Sequence, residues 1–417
     1  MTVETSATGV LGSDDHVLTQ HERRTAALVW ILVFGSCLQW TGRPYYVIVL
    51  PPRVEQMGTA IAVVLAFWLA LKLNPRLKLR GSWPVWLYAL LPVVALMPAL
   101  SGSAGGLGTV ARACRFLFAL MALALIAPVW RSDPWVIVNA HSRALRLCIG
   151  AALISLAIGL GQNGEGRLIS QVPALQAPQV GQFAALLAGM SLLQILSHSP
   201  RLPRCPLWFA LGVTALLLSK TRTPLIAGAV ALGVGILLLA VSHSRAREVA
   251  VTLLLLGPAL YLVMEPAVHA FLTRGQGDEL LSTLTGRTLA WARVHEFPRT
   301  GFQQLFGIGY GDKSIDGLPI DNGYLATFHE AGKIGLVIVC TAMAVILLRA
   351  FAYPRAANRA MSIFLLTFVA VASYTETGIG DMSAYVMHVL LAGILLTPLT
   401  LAQSGEHFHP VRPGARS

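Results

Sequence analysis

Charge is scarce in this chain. Asp, Glu, Lys and Arg together make up 12% of its 417 residues, whereas a soluble globular chain carries about 25%. Hydrophobic residues make up 55%. A composition this apolar excludes an ordinary soluble domain and indicates a protein that crosses a membrane many times.

Familiar chemical motifs are missing as well. The five cysteines and eleven histidines show no CxxC, HExxH or other metal-ligand spacing. There is also no Gly-rich phosphate loop and no nucleophile elbow. We interpret the scattered cysteines as small apolar packing residues. We therefore expect no metal and no cofactor, so that any chemistry draws on the energy of the substrates themselves.

The chain is rich in apolar sequence, which falls into twelve stretches. Some are shorter than the roughly 20 residues that a bilayer span needs, so their helices must extend into the flanks. The predicted fold class is all-α: a polytopic membrane helical bundle of about 12 transmembrane helices, with one long periplasmic loop containing short helices. The stretches are 25–40, 59–73, 83–100, 116–130, 147–161, 180–197, 206–218, 224–241, 249–264, 335–348, 361–374 and 384–401.

The charges between these stretches predict which side of the membrane each connection faces. With a cytoplasmic tail at 1–24, every even-numbered connection carries Lys or Arg, as the positive-inside rule requires. The net charge of +12 then reflects contact with anionic lipid rather than nucleic acid. The predicted order is helices 1–9 within 25–264, a periplasmic loop at 265–325, helices 10–12 within 326–402, and a cytoplasmic tail at 403–417. No removable signal peptide is expected.

The long loop interleaves acids and bases and contains the stretch LTGRTLAWARVHEF, which predicts a short helix. Thr285 is placed to cap this helix, and Trp291 is placed to pack over Arg287. One face of the helix is expected to carry Leu289, Ala292 and Phe297. The stretch LFGIGYGD follows, and its alternate glycines are typical of a tight turn. The alternative is an amphipathic helix that merely lies on the outer leaflet.

Lone cations stand beside apolar stretches on the side where the positive-inside rule disfavours them. Lys220 and Arg222 lie between two stretches, among Ser and Thr, and Arg167 precedes another. Arg112 and Arg115 lie at the entry to a fourth. Each is either a snorkelling anchor or part of a site for an anionic headgroup, because a guanidinium group matches the paired oxygens of a phosphate.

Four segments in order resemble the signature of the O-antigen ligase and polysaccharide polymerase superfamily. They are SKTRTPLIAGAVAL, TGRTLAWARVHEF, LFGIGYGD and DNGYLATFHEAGKIGLV. In that pattern an Arg opens a span after Ser or Thr, and a Gly-Arg-Thr helix carries Trp. A Gly-x-Gly turn follows, and a run containing Asn-x-Tyr-Leu ends in Glu-x-Gly-x-x-Gly-Leu. The resemblance covers residues 219–337 closely and the other spans only in number and topology.

This resemblance implies a glycosyltransferase of the bacterial inner membrane with its active site facing the periplasm. Such an enzyme takes a glycan from undecaprenyl diphosphate and transfers it to an acceptor hydroxyl without metal or nucleotide. Family members hold the diphosphate with arginines at two positions, which correspond here to Arg222 and Arg287. Further substrate contacts are expected from Arg167, Lys220, Trp291, Tyr310, Asn322, Tyr324, His329 and Glu330.

The chain departs from the family at Asp321, where ligases typically carry His before the Asn. A carboxylate within hydrogen-bond reach of the acceptor hydroxyl serves as a general base, so Asp321 joins the two arginines as a catalytic candidate. The alternative role for Asp321 is a helix N-cap. His329 is a rival base, because it lies about two helical turns further on and both side chains can share a face.

Three neighbouring residues have simpler roles open to them. Glu330 matches the family's acid and is placed to pair with Lys333 one turn on, which is a structural role. Tyr310 and Tyr324 are placed either to stack on sugar rings or to act as interface aromatics.

The Asp in place of His favours a polymerase of O-antigen, capsule or exopolysaccharide, which joins one lipid-linked repeat to another. The alternative is an O-antigen ligase, which joins finished polymer to lipid A core. A hypothesis from a different class is a transporter or flippase of a lipid-linked glycan, although matching broken spans in the two halves are not evident. The expected partners are the undecaprenyl diphosphate-linked donor, a glycan or lipid A core acceptor, membrane lipids, a chain-length regulator and a flippase, with no nucleic acid.

Overall fold

The computed structural model describes residues 18–40, 51–79, 82–103, 106–197, 204–273, 287–311 and 313–397. These residues are mostly helical and contain one two-stranded hairpin, so the all-α prediction is confirmed for them. Thr285, the tail at 403–417 and most of the tail at 1–24 lie outside the described residues.

The elements follow one another along the chain with short connections. The first helices are α1 Gln20–Ser36, α2 Pro52–Leu73, α3 Trp83–Leu100, α4 Leu107–Leu125, α5 Ala127–Ser132, α6 Trp135–Ala157, α7 Ala177–Leu196, α8 Cys205–Ser219, α9 Arg222–Ala240 and α10 Ser244–Thr273. After them come α11 Arg287–Glu296, α12 Gly301–Phe306, β1 Ser314–Ile315, β2 Leu318–Pro319, α13 Gly323–Ala352, α14 Ala356–Ala372 and α15 Ala384–Ile394.

Seven described helices are long and apolar enough to cross a membrane, namely α2, α3, α4, α6, α7, α9 and α13. Helices α8, α14 and α15 are apolar but shorter, and α1 and α10 carry the two remaining apolar stretches. Each of the twelve predicted stretches therefore overlaps a helix. The chain is a membrane-embedded helical protein, and the count of twelve spans stays a prediction.

Two boundaries of the predicted loop differ from the structure. Helix α10 runs to Thr273, past the predicted limit at 264, and its Pro258 and Pro266 do not end it. Helix α13 begins at Gly323, before the predicted limit at 326, because Asn322 caps it. The connection between these helices is therefore shorter than predicted at both ends.

Connections are counted between successive apolar stretches, as in the sequence analysis. The odd-numbered connections lie at one end of the bundle, here called the loop end. The amide of Ala174, between α6 and α7, donates to the carbonyl of Gln39, after α1, at 2.9 Å. The amide of Leu168 donates to the carbonyl of Leu218, at the end of α8, at 3.0 Å. The connection before α13 also reaches this end, so loops distant in sequence form one polar layer.

At the opposite end, here called the basic end, described residues of the even-numbered connections contact the ends of neighbouring helices. The side-chain amide of Asn74, after α2, donates to the carbonyl of Leu125 at 3.0 Å. The side-chain amide of Asn358, in α14, donates to the carbonyl of Leu395 at 3.0 Å. Which side of the membrane each end faces stays a prediction.

Between the two ends, a chain of buried polar side chains joins four helices. Trp30 Nε1 donates to His141 Nδ1 at 3.2 Å, and His141 Nε2 lies 3.1 Å from His388 Nδ1. Gln182 Nε2 lies 3.2 Å from His388 Nε2. All four residues are buried, so their polar atoms are satisfied by one another rather than by solvent.

Candidate active site at the loop end

The Gly-rich turn and the Glu-x-Gly motif meet at a break in α13. Gly332 has φ 66°, a left-handed conformation that interrupts the helix about two and a half turns after its start at Gly323. The amides of Ile308 and Gly309 donate to the carbonyls of His329 and Glu330, just before this break, at 3.0 and 2.9 Å. Gly307 and Gly309 have φ of 77° and 87°, and these two hydrogen bonds fix the first part of α13 relative to the loop. The tight turn itself stays a prediction.

The same break separates Glu330 from Lys333, its predicted partner. Glu330 is buried and its Oε1 accepts a hydrogen bond from the amide of Gly311 at 3.4 Å, whereas Lys333 is exposed. Among the described residues the predicted Glu330–Lys333 pair does not form, because the two side chains lie on opposite sides of a non-helical residue. Glu330 faces the interior of the site instead.

Asp321 and Arg287 come together, as two of the catalytic candidates must. Arg287 Nε, at the first residue of α11, lies 3.3 Å from Asp321 Oδ2, just before α13. Both side chains keep part of their surface exposed, 26% for Arg287 and 39% for Asp321. The pair is therefore open to a ligand on one side.

Glu376 adds a second carboxyl group beside this pair, and the sequence did not single it out. Burial raises the pKa of Glu376 to about 7, although Arg287 opposes the rise and Asp321 adds to it. A carboxyl group with a pKa near 7 gains and loses a proton at neutral pH.

The N-cap alternative for Asp321 is not the observed arrangement. Asn322 is the N-cap of α13, and its Oδ1 accepts from the amides of Tyr324 and Leu325 at 3.0 Å each. Its side-chain amide donates to the carbonyl of Tyr374 at 3.0 Å. Because Asn322 performs the capping, the carboxylate of Asp321 stays available to Arg287.

The connection between α14 and α15 links three of the resembling segments. Thr223 Oγ1, in the first turn of α9, lies 2.6 Å from Thr375 Oγ1. The Trp291 ring packs edge-on against Tyr374 with centroids 5.3 Å apart, rather than over the arginine that begins α11 as predicted. Through this connection the Arg222 segment and the Arg287 segment share one neighbourhood.

Three of the predicted cations cluster around the start of α9. Arg222 is its first residue and lies within electrostatic range of Arg167. Lys220, with φ 50°, brings its ammonium group against Gly166, where a Cβ would lie 3.5 Å from Nζ. Arg167 also pairs with Glu165. The cluster has more positive than negative charge and suits an anionic group.

The buried face of α11 differs from the predicted one. Ala290 and Val294 are buried, whereas Leu289, predicted on the packing face, is 54% exposed. Val294 packs with Ile315 of the hairpin and with Ile320. Small and branched residues face the hairpin because α11 lies close to it, which leaves the longer Leu289 outside.

His329 has a different environment from Asp321, so the predicted shared face is wrong. Its Nδ1 lies 3.0 Å from Nη2 of Arg299, and its ring packs edge-on against Phe297 with centroids 5.5 Å apart. Because α13 starts only after Asn322, Asp321 does not belong to the helical face that carries His329. His329 is occupied by a structural contact.

A cavity of about 760 Å³ opens beside Asp321. Lys313 Nζ lies 2.6 Å from Asp381 Oδ2 in its wall. Burial alone would lower the pKa of Lys313, but the carboxylates of Asp381 and Glu330 outweigh it and raise the pKa. The charged residues of the wall are Arg112, Arg115, Lys313, Asp321, Glu330 and Asp381.

Arg112 and Arg115 are built into this wall. Arg112 Nη1 donates to the carbonyl of Gly311, and Arg115 Nη1 donates to Thr59 Oγ1 at 3.0 Å. Neither arginine forms an ion pair with a carboxylate in the part of the chain that the structure describes. Each retains the charge to attract an anionic ligand.

The two tyrosines proposed for sugar stacking are anchored between elements. Tyr310 is buried, and its hydroxyl donates to the carbonyl of Gly380 at 2.9 Å. The hydroxyl of the half-buried Tyr324 donates to the carbonyl of Ala370 at 3.1 Å. Their observed contacts are structural.

Sequence reasoning missed Lys313, Glu376 and Asp381 as site residues. Lys313 was one of many charges in the long loop. Glu376 and Asp381 lie in the polar segment TETGIGD between two apolar stretches, and acids between apolar stretches were the available signal. Within the described ranges, no group of three or more His, Cys, Asp and Glu side chains is placed to hold a metal ion.

Fold and site together define an all-α membrane protein with a charged cavity and an arginine–aspartate pair at one end. Comparisons with protein-family models, with curated proteins and with solved structures give no match to this chain.

Proposed function

We propose that this protein is a membrane glycosyltransferase that moves a glycan from undecaprenyl diphosphate to an acceptor sugar hydroxyl on the periplasmic face of the bacterial inner membrane. The contact that carries the proposal joins Arg287 to Asp321 at 3.3 Å, across 34 residues of sequence and beside a polar cavity. It unites a cation suited to a phosphate with a carboxylate suited to a hydroxyl.

The cations near α9 and α11 account for the donor half of the reaction. When the bond between the anomeric carbon and the diphosphate oxygen breaks, negative charge grows on the departing diphosphate. We assign the stabilisation of that charge to Arg222 and Arg287, because fixed hydrogen-bond donors aimed at a developing oxyanion have a large effect on the rate. Arg167 and Lys220 extend the positive region around Arg222.

The carboxylates account for the acceptor half. The acceptor oxygen forms a bond to the anomeric carbon, and its proton passes to Asp321 acting as general base. Arg287 holds the Asp321 carboxylate in place through the 3.3 Å contact. Glu376, whose pKa burial raises to about 7, provides a nearby group that accepts or supplies a proton at neutral pH.

Polymerisation is the form of transfer that we favour, because Asp321 stands where the resembling ligases carry His. In this form the acceptor is another lipid-linked repeat of an O-antigen, capsule or exopolysaccharide. The alternative is an O-antigen ligase that uses the same donor chemistry with lipid A core as acceptor.

Reconstitution tests the proposal. The purified full-length protein is placed in liposomes with undecaprenyl diphosphate-linked single repeats, and the products are measured by mass spectrometry. Longer lipid-linked glycans support a polymerase. Transfer only after lipid A core is added supports a ligase. If the folded protein leaves both substrates unchanged, the proposal is contradicted.

A further inference from the structure

An apolar groove lies next to the charged cavity at the loop end. The groove has a volume of about 710 Å³ and is lined by α1, α2 and α6, with Gly58, Leu147 and Trp40 among its residues. Leu147 is 67% exposed and Trp40 is 40% exposed. In a membrane such a groove accommodates hydrocarbon.

The groove and the cavity share a wall. Thr59 lines the groove, Arg115 lines the cavity, and Arg115 Nη1 donates to Thr59 Oγ1 at 3.0 Å. Gln39 lines the cavity while its chain neighbours Leu38 and Trp40 line the groove. A hydrocarbon chain in the groove therefore ends within reach of the polar cavity.

Arg112 and Arg115 lie where the groove and the cavity meet, a place here called the junction. Their charge determines which lipid headgroup fits there. Arg112 and Arg115 are three residues apart on α4, so they lie on the same side of the helix. Lys313 is neutralised by Asp381 at 2.6 Å, whereas neither arginine has a carboxylate partner within the described ranges. Arg115 Nε is buried without a hydrogen-bond partner in those ranges. The junction suits a phosphate group.

We infer that the groove and the Arg112–Arg115 junction bind a second phosphorylated polyprenyl lipid, which carries the acceptor glycan into the cavity beside Asp321. This inference rests on the proposed function and makes it more specific. The donor diphosphate lies at the Arg222 and Arg287 cluster and the acceptor lipid lies at the junction, with Asp321 facing both. A polymerase requires two polyprenyl lipid sites, whereas a ligase binds one polyprenyl donor and takes lipid A core as its acceptor.

Native mass spectrometry of the purified full-length protein with undecaprenyl diphosphate tests the inference by counting bound lipids. We expect two on the wild-type protein and one on Gly58→Phe, because Gly58 lines the groove, a Cβ there meets no atom within 4 Å, and the added ring takes space in the groove. Arg115→Gln is expected to bind one. Gly233→Phe, at an equally open position on α9, is the matched control and is expected to bind two.

Arg222→Gln separates failure of this inference from failure of the proposed function. Loss of one lipid in Arg222→Gln, with no loss in Gly58→Phe and Arg115→Gln, overturns the second site and leaves the donor site standing. No loss in Arg222→Gln, with a loss in Gly58→Phe, contradicts the donor site instead. Equal displacement by undecaprenol, which has no phosphate, means that the groove holds bulk lipid only and overturns the inference.

Discussion

The two ends of this helical bundle carry similar side chains but arrange them differently. At the basic end the cations are mostly exposed, as in Arg76, Arg245 and Arg247, and few acids accompany them in the described residues. At the loop end cations and acids interleave around a cavity, and pairs such as Arg287–Asp321 and Lys313–Asp381 form. Exposed cations suit a lipid surface, whereas interleaved charges in a cavity suit a specific ligand.

Charge sign alone therefore does not locate a functional site in a membrane protein. A single sign spread over an end orients the chain across the bilayer. Opposite signs held close in a partly buried site are costly unless each is paired, so such a site persists where the protein uses it. The following predictions test that contrast.

The largest expected effect is on Asp321→Asn. If the carboxylate is the general base, transfer falls about 100-fold to 10,000-fold. The fold is expected to survive because Asn322, not Asp321, caps α13. Initial rates of glycan transfer measure the effect, and Asp316→Asn, at an exposed turn of the same loop, is the control with near wild-type rate. A wild-type rate in Asp321→Asn rules out the base.

The second-largest effect on the transfer rate is expected from removing Arg287 or Arg222, the two arginines proposed to bind the donor diphosphate. Arg287→Ala and Arg222→Ala are each expected to lower the transfer rate about 100-fold to 1,000-fold, the usual loss when one fixed donor to a developing oxyanion is removed. Arg293→Ala, on the same short helix, removes only an exposed pair with Asp316 at 3.6 Å and is expected to keep the rate. Equal rates in all three variants contradict the donor site.

Gly332→Ala is expected to lower the stability of the protein. Gly332→Ala forces a side chain into a residue with φ 66° and against the carbonyl oxygen of Leu305, at a cost of roughly 1–3 kcal/mol or more. Gly311→Ala, where the nearest atom to a Cβ is 3.8 Å away, is the control. Thermal unfolding in detergent is expected to show a lower midpoint only for Gly332→Ala.

The pH dependence of stability provides a smaller effect. Burial raises the pKa of Glu376 to about 7 from an ordinary value of 4.5, so the folded state holds this proton more tightly than the unfolded state. Stability from this group is therefore full below about pH 4.5 and is lost as the pH rises to about 7, by at most about 1.4 kcal/mol per pH unit. Glu376→Gln should flatten this part of the stability–pH profile, and an unchanged slope contradicts the assignment.

The smallest effect is expected at the basic end. The double variant Arg245→Gln, Arg247→Gln removes two exposed cations and is expected to leave the transfer rate within about twofold of wild type, since these side chains face away from the site. A tenfold lower transfer rate in this variant would contradict the assignment of the active site to the loop end alone.

The sequence was sufficient for the parts of this account that depend on hydrophobic periodicity and on short motifs. Each apolar stretch overlaps a helix, and Gly307 and Gly309 of LFGIGYGD adopt the positive φ angles that glycine allows. The pairing of Arg287 with Asp321 joins two residues that were both named as candidates from sequence.

Contacts between residues far apart in sequence determined the features of the site that the sequence did not predict. His329 contacts Arg299, thirty residues away, and this partner was not evident from the local pattern. Glu330 does not pair with Lys333 because Gly332 interrupts the helix between them. A lone glycine inside a helical pattern does not by itself predict an interruption. Asp381 joined the site through a contact with Lys313 that spans 68 residues, a separation beyond the reach of local patterns.

We propose above that the loop end transfers glycans between lipid carriers. The most direct test is to measure lipid-linked glycans in cells that lack the protein. The gene is deleted in its own organism, restored as wild type or as Arg287→Ala, and the lipid-linked glycans are measured by mass spectrometry. We expect single repeats on undecaprenyl diphosphate to accumulate in the deletion strain and in Arg287→Ala, and the wild-type gene to restore long glycans. Unchanged lipid-linked glycans in the deletion strain would contradict it.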